Sequence, residues 1–323
     1  MITPLLLAGL CIALPIPPDT IPAAPVDPGS VIVTAERDTT VALRDSTALV
    51  APAPIDGTEY RPAPVDFITN LPRDWVDWAR ENITETNLPI IAGIGVATVA
   101  LVLVDDDAYQ AFHRPYERSV DYHRASDMAV FIGDGKFQFG IACLFGAYGF
   151  ITDDARAIRT ASQTTEVILA CGGVVQLVKH LTGRERPAAA TAATGRWALF
   201  PDPTVYQRHV PRYDAFPSGH LSTAIATLTV IMENYPEATW LPWIGCPAVA
   251  ALAVGLVSSG MHWWSDFPVA AALGYTFGTL VGSRRSDDRG ITEDLSRRRR
   301  PTLRIGPSIL SDGLPAIGMA LSW

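Results

Sequence analysis

Lysine is almost absent from this chain: Lys136 and Lys179 are its two lysines among 25 basic residues. Charge is scarce altogether, at 18% of 323 residues, and what there is sums to -8. A DNA or RNA binder needs a basic face to displace counterions, so this balance argues against a nucleic-acid partner. Cysteine is equally thin. Cys11, Cys143, Cys171 and Cys246 all lie in apolar stretches without metal-ligand spacing or a paired framework, which reads as small apolar filling. No feature of the sequence points to a protein partner.

What is abundant is apolar surface. Hydrophobic residues make up 48% of the chain and mean hydropathy is +0.19, more apolar than an ordinary soluble enzyme and suited to a membrane protein. Residues 1–16 form a short apolar segment followed by prolines, like the core of a secretory signal. Residues 17–87 read as a linker, rich in Pro, Ala, Asp and Thr up to about residue 70 and expected to be disordered. Residues 88–283 hold six apolar helical stretches, at about 88–104, 137–152, 163–181, 220–235, 240–258 and 267–283. Their lengths sit near the lower edge of what crosses a ~30 Å hydrocarbon layer at ~1.5 Å per residue. The expected fold is therefore an all-α, membrane-embedded bundle of about six helices; a soluble protein with long core helices would give similar runs. Residues 284–323 open with a basic segment, and the tail from 302 alternates apolar and small residues about Ser311-Asp312-Gly313, the pattern of a β-hairpin.

Arg284, Arg285 and the run Arg297 to Arg300 favour the cytoplasmic side for the end of the last helix. Counting back, the loops after 163–181 and after 240–258 face outward, on the periplasmic side of a cell membrane. The start of the chain conflicts with this count. If residues 1–16 direct export, 88–104 begins on the wrong face, so either that segment is not a signal or 88–104 does not span.

The outward loops carry three motifs. The first is Lys179, six residues, then Arg186-Pro187. Gly183 breaks the helix between them, so both cations can turn to one anion, the lysine as a point charge and the arginine as a planar fork. Arg184 is a candidate third cation. Anchoring at a membrane surface is the plainer role for such residues. The second is Pro217-Ser218-Gly219-His220, where Ser218 caps a helix, Gly219 lets backbone N–H groups approach an oxyanion, and His220 is placed to hand over a proton. A Ser-capped helix with an incidental histidine would look the same. The third is His262 with Asp266, spaced i, i+4; on a helix the carboxylate would orient the imidazole as a nucleophile. Alone, such a pair is more often a structural hydrogen bond. Trp263 and Trp264 are expected at the membrane interface.

In order and chemistry these motifs resemble the type 2 phosphatidic acid phosphatase and vanadium haloperoxidase superfamily, over roughly the 110 residues around Lys179 to Asp266. The resemblance implies that Lys179, Arg186, Ser218 and Gly219 hold phosphate, His220 acts as acid, His262 attacks to form a phosphohistidine, and Asp266 supports it. It implies chemistry without a metal or other cofactor. The substrate class it implies at a membrane surface is a lipid phosphate monoester or diphosphate. The chain departs from the family pattern upstream of His262, where Leu256 and Gly255 stand in place of an arginine and the serine before it. One lost preorganised cation is worth ~3 kcal/mol of transition-state stabilisation. Arg184, Arg196, Arg208 and Arg212 are the candidates to replace it. Without replacement, the chain would be a lipid-phosphate-binding membrane protein of weakened activity. Vanadate-dependent halide oxidation fits less well, because tight vanadate binding would want the missing cation. The loop 188–216, with Trp197, Phe200, Tyr206, Tyr213 and Phe216 among arginines, is either a headgroup clamp or an interfacial belt.

Overall fold

Capping residues set the helix boundaries. The computed structural model describes residues 62–284 and, by backbone alone, 302–309 and 315–322. Eleven helices run through the first of these segments: α1 Asp66–Thr69, α2 Leu71–Asn82, α3 Leu88–Val102, α4 Asp105–Arg118, α5 Val120–Gly133, α6 Gly135–Thr152, α7 Ala155–Thr182, α8 Pro203–Arg208, α9 Gly219–Asn234, α10 Leu241–Ser258 and α11 Phe267–Gly282. Ser119, Asp134, Asp154 and Ser218 each accept a backbone N–H from the first turn of the helix they precede. α7 is 28 residues long. It stops at Gly183 in the left-handed region (φ +53°), where a Cβ would lie 2.2 Å from the Ala198 carbonyl oxygen. Only glycine fits there, and the chain turns back as the sequence predicts.

Helices α7, α9 and α11 pack around one apolar cluster built on Val167, Val175, Val230 and Phe277. Closest approach is between α9 and α11, where Gly274 and Gly278 repeat at i, i+4. A Cβ on Gly274 would meet the Ser222 carbonyl oxygen at 2.3 Å, so the missing side chain is what lets these backbones touch. A second cluster, centred on Leu221, Leu252, Leu256, Trp263 and Phe267, joins α9, α10 and the segment leading into α11.

The linker expected through residue 87 ends earlier. α2 is an amphipathic helix held to the bundle by Trp75 Nε1 donating to the Ala170 carbonyl (3.0 Å), Trp78 Nε1 donating to Thr276 Oγ1 (2.8 Å), and Trp78 stacked on Phe277. Its polar outer face hides it from a composition reading. α4 and α5 were hidden in the same way: Asp, Arg, His and Tyr fill their sequence between the apolar stretches. At the end of α11, Arg284 bonds Asp74 and reaches Glu166 at 2.9 Å, so it serves as a clasp between α2, α7 and α11. Arg284 therefore serves packing as well as charge at the end of α11; Arg285 and Arg297 to Arg300 lie outside the described residues, as do residues 1–61.

Among the described residues, two helical segments are long and apolar enough to cross a membrane, Glu85–Val102 and Leu241–Ser258, and the pair α5 and α6, bent by 55°, makes a third if it acts as one broken span. That is fewer than the six expected. α9 and α11 are present but have only 16 residues each, and α7 buries Arg159, Gln163 and Glu166 along its length. The apolar surface is nonetheless large. Ile90, Val96 and Val99 on α3, Leu144, Phe150 and Ile151 on α6, and Trp243 and Ile244 on α10 are all exposed. So many bare hydrophobic side chains suit lipid rather than water.

A separate unit, residues 286–323, contains two strands, Thr302–Ile309 and Pro315–Ser322, paired antiparallel with Thr302 opposite Ser322. The turn expected at Ser311-Asp312-Gly313 lies outside the described residues, so the hairpin as a whole is not established. Among the described residues of the first unit there is no strand beyond isolated bridges from Arg184 to Trp197 and Asp214.

Candidate active site

His262 is 1% exposed, and its Nδ1 lies 2.7 Å from the carbonyl oxygen of Ala215. A carbonyl oxygen can only accept, so Nδ1 carries the proton and Nε2 presents a lone pair. That Nε2 is buried and has no hydrogen-bond partner among the described residues. An unsatisfied buried nitrogen is costly, and a reactive centre waiting for substrate is one reason to find it. Burial, and then the positive charges of Lys179 and Arg186, push the imidazole pKa well below its ordinary value, so His262 is neutral.

The i, i+4 spacing of His262 and Asp266 works, but not on an α-helix. Residues Trp264–Asp266 form a 3₁₀ turn just before α11. Asp266 Oδ2 is 3.3 Å from His262 Nδ1 but 2.8 Å from the Trp263 N–H, so the carboxylate mainly ties down the turn. The backbone carbonyl of Ala215 takes the tautomer-setting role expected of Asp266. Trp263 and Trp264 are 1% and 5% exposed, which corrects their expected place at a membrane interface. Trp263 Nε1 donates to the Glu185 carbonyl, and Trp264 packs on Phe112 and Phe267. Trp240 and Trp243, at the start of α10, are the most exposed tryptophans among the described residues, ahead of Trp75 and Trp197.

Lys179 lies in the last turn of α7, buried, with its ammonium under the first turn of α9: a Cβ placed on Gly219 would be 3.8 Å from Nζ. Ser218 caps that turn, its Oγ accepting from the Leu221 N–H. His220 follows, its ring 6.1 Å from that of His262, centroid to centroid, and tilted edge-on. Burial and the neighbouring positive charge push His220 down to about 4, while Asp134, at the α5–α6 break, pulls the other way. Arg186 holds both oxygens of Asp214, at 2.6 Å from Nε and 2.5 Å from Nη2, and Lys179 Nζ is 3.8 Å from Oδ2 of the same carboxylate. Burial opposes ionisation of Asp214, but the Arg186 hydrogen bonds and the two cations outweigh it and hold the carboxyl below its usual range. Nothing in the sequence reading singled out Asp214. Its position three residues before Pro217 was the available signal, since the segment that delivers Ser218 also passes between the two cations.

Arg184 is not in the pocket. It is fully buried behind Asp266, with Nη1 donating to Asp266 Oδ1 (2.6 Å) and Ser265 Oγ (2.6 Å), and Nη2 to Asp105 Oδ2 (2.7 Å) and the Thr194 carbonyl (2.9 Å). Trp197 and Trp263 lie against its guanidinium at 4.7 and 5.4 Å. Asp105 opens α4 and completes the network by accepting from Ser265 N–H and Oγ. The three other arginines weighed as substitutes, Arg196, Arg208 and Arg212, are on the exposed surface of the loop. Leu256 has no exposed surface and packs in the apolar cluster with Leu252 and Trp263; its carbonyl oxygen accepts from His262 N at 3.2 Å. The missing charge is thus replaced by apolar packing.

The described geometry defines a helical protein whose pocket joins a neutral, tautomer-fixed histidine to a lysine, an arginine and a second histidine. Residues 162–287 match the family model described as the PAP2 superfamily, so the resemblance read from the motifs stands over that segment. A search of curated proteins gave no significant match. Among solved structures, the chain is similar to the first transmembrane PAP2 type phosphatidylglycerolphosphate phosphatase from Bacillus subtilis, at 17% identity and a TM-score of 0.35, over 72% of this chain and 98% of that one. Asp105 and the helices α1 to α6 lie before the matched segment.

Proposed function

We propose that this chain hydrolyses a phosphate monoester or diphosphate carried on a lipid, through a covalent phosphohistidine at His262. The observation that carries this is the buried, unpartnered Nε2 of His262, whose lone pair is exposed by the Nδ1–H bond to Ala215. Nε2 attacks phosphorus, the bond to the leaving oxygen breaks, and His220 passes a proton to that oxygen. Water then attacks the phosphohistidine, giving its proton to His220, and phosphate departs. Lys179, Arg186, the Ser218 hydroxyl and the Gly219 N–H hold the phosphoryl oxygens as charge develops; the Ser218 N–H already donates to the Asp266 carbonyl. A lipid substrate is supported by the bare apolar faces of α3, α6 and α10, with the pocket facing the outer side of the membrane. Converting His262 to alanine in purified protein should abolish phosphate release from lipid phosphates, and retained release would reject the mechanism.

Leu256 favours a second reading. With apolar packing where a cation is wanted, the pocket would bind lipid phosphate without efficient turnover. Phosphate release from a panel of lipid phosphates, in detergent with chelator, separates the two: turnover supports the enzyme, saturable binding without turnover the binder.

A further inference from the structure

Asp214 is a buried carboxylate placed between the only two cations that face the pocket among the described residues, and no step above uses it. Its two oxygens take the Nε and Nη2 edge of Arg186, and one of them also faces Lys179 Nζ. We propose that Asp214 sets the charge of the pocket, cancelling one of its two cations so that the phosphoryl group it accepts is singly charged and brings its own proton. This rests on the reading of the pocket as a phosphoryl-transfer site and names the ionic form of its substrate.

The charge count comes from every element around the carboxylate. Lys179 from α7 and Arg186 from the following loop are positive, and Asp214 is negative. His262 and His220 are neutral, and Tyr206 from α8, pushed up to about 12 by burial and by Asp214, is neutral too. Asp134 acts on His220 from the α5–α6 break. Asp266 also acts on Lys179, but Arg184 holds it from behind in an ion pair; Lys179, Arg186 and Asp214 then sum to one positive charge. Burial works against the Lys179 charge; its loss would leave the pocket poorer still, in the same direction. A dianionic phosphate would leave a net negative charge in a closed space, whereas a monoanion is matched.

Proton count leads to the same place. His220 carries no proton in the substrate-free pocket near neutral pH. A monoanionic monoester supplies one: as the N–P bond forms and the P–O bond to the lipid breaks, the phosphoryl proton passes through His220 to the leaving oxygen. The products are the neutral alcohol and a phosphohistidine carrying the single negative charge.

The test is the pH profile of kcat/KM for phosphatidic acid in detergent micelles, from about pH 5 to about pH 9, across the ~6 of a phosphate monoester's second ionisation. Wild type should lose activity as pH rises through that ionisation. Asp214→Asn adds one net positive charge and should move the falling limb upward, raising kcat/KM at the alkaline end by on the order of ten-fold relative to the acid end. The phosphorothioate analogue of phosphatidic acid, a stronger acid, should move the wild-type limb downward, and this needs no variant to fold. A limb that ignores the analogue would overturn the proposal. So would an Asp214→Asn variant slowed equally at every pH, because the carboxylate would then only orient Arg186. Phosphate release retained by His262→Ala would instead sink the reading of the pocket itself. Should wild type bind without turnover, calorimetry with inorganic phosphate decides: binding that tightens on acidification supports a monoanion site, and binding that weakens overturns it.

Discussion

His262 donates through Nδ1 to the Ala215 carbonyl oxygen at 2.7 Å, a shorter contact than the 3.3 Å to Asp266. A main-chain group therefore fixes which nitrogen of the imidazole is free, and the carboxylate is left to anchor its turn and Arg184.

That division predicts a mild phenotype for Asp266→Asn. Where a carboxylate alone fixes the tautomer, its amide costs ~10⁴ in kcat. Here the loss should be nearer ~10-fold to ~100-fold, read as steady-state phosphate release. A fall of the full size would mean that Asp266, not Ala215, controls the ring.

Arg184 and Asp105 form a buried pair with no exposed side-chain surface on either partner. Asp105→Ala leaves the guanidinium short of one of its two carboxylates and should cost about 3 kcal/mol or more in stability. Denaturant unfolding in detergent checks this. Lys179→Ala and Arg186→Ala should each lower kcat/KM by ~100-fold or more through lost oxyanion stabilisation. Arg196→Ala, Arg208→Ala and Arg212→Ala, altered on the exposed loop, should each stay near wild-type turnover.

Leu256→Arg tests whether the expected charge can be restored. The site is closed and apolar, so a guanidinium there has no carboxylate to meet and should destabilise the fold by several kcal/mol without raising turnover. Higher phosphate release with an unchanged melting temperature would contradict this.

Acid should load the two buried histidines against the fold. His262 and His220 are held below their ordinary 6.5, so the unfolded chain takes up protons that the folded chain refuses as pH falls from 6.5 towards 4. Asp266, raised to about 6 by burial, works the other way between 6 and 3.8. Glu166, raised to about 8, and Asp74 and Asp105, also raised by burial, act with Asp266 against the two histidines, so the histidine share is read by difference, from thermal midpoints of wild type and His220→Asn in detergent over this window. His220→Asn should remove a share of that slope worth at most roughly 3 kcal/mol.

Much of the site could be read from residues close together in sequence. Lys179 with Arg186, Ser218 with His220, and His262 with Asp266 are local pairs. Gly183, Ser218 and the apolar stretches announced where helices stop, start and face lipid. Local chemistry is enough for this, because a cap, a left-handed turn or a hydrophobic run depends on neighbours within a few positions. Distant partners decided the rest. Arg184 sits two residues from Arg186, yet α4 and the Trp264–Asp266 turn draw it into the core while Arg186 reaches the pocket. Asp214 became a counter-ion only when folding set it against α7. Charged groups take their roles from whatever closes around them, through burial and the nearest opposite charge, and those neighbours lie some 30 to 160 residues away along the chain.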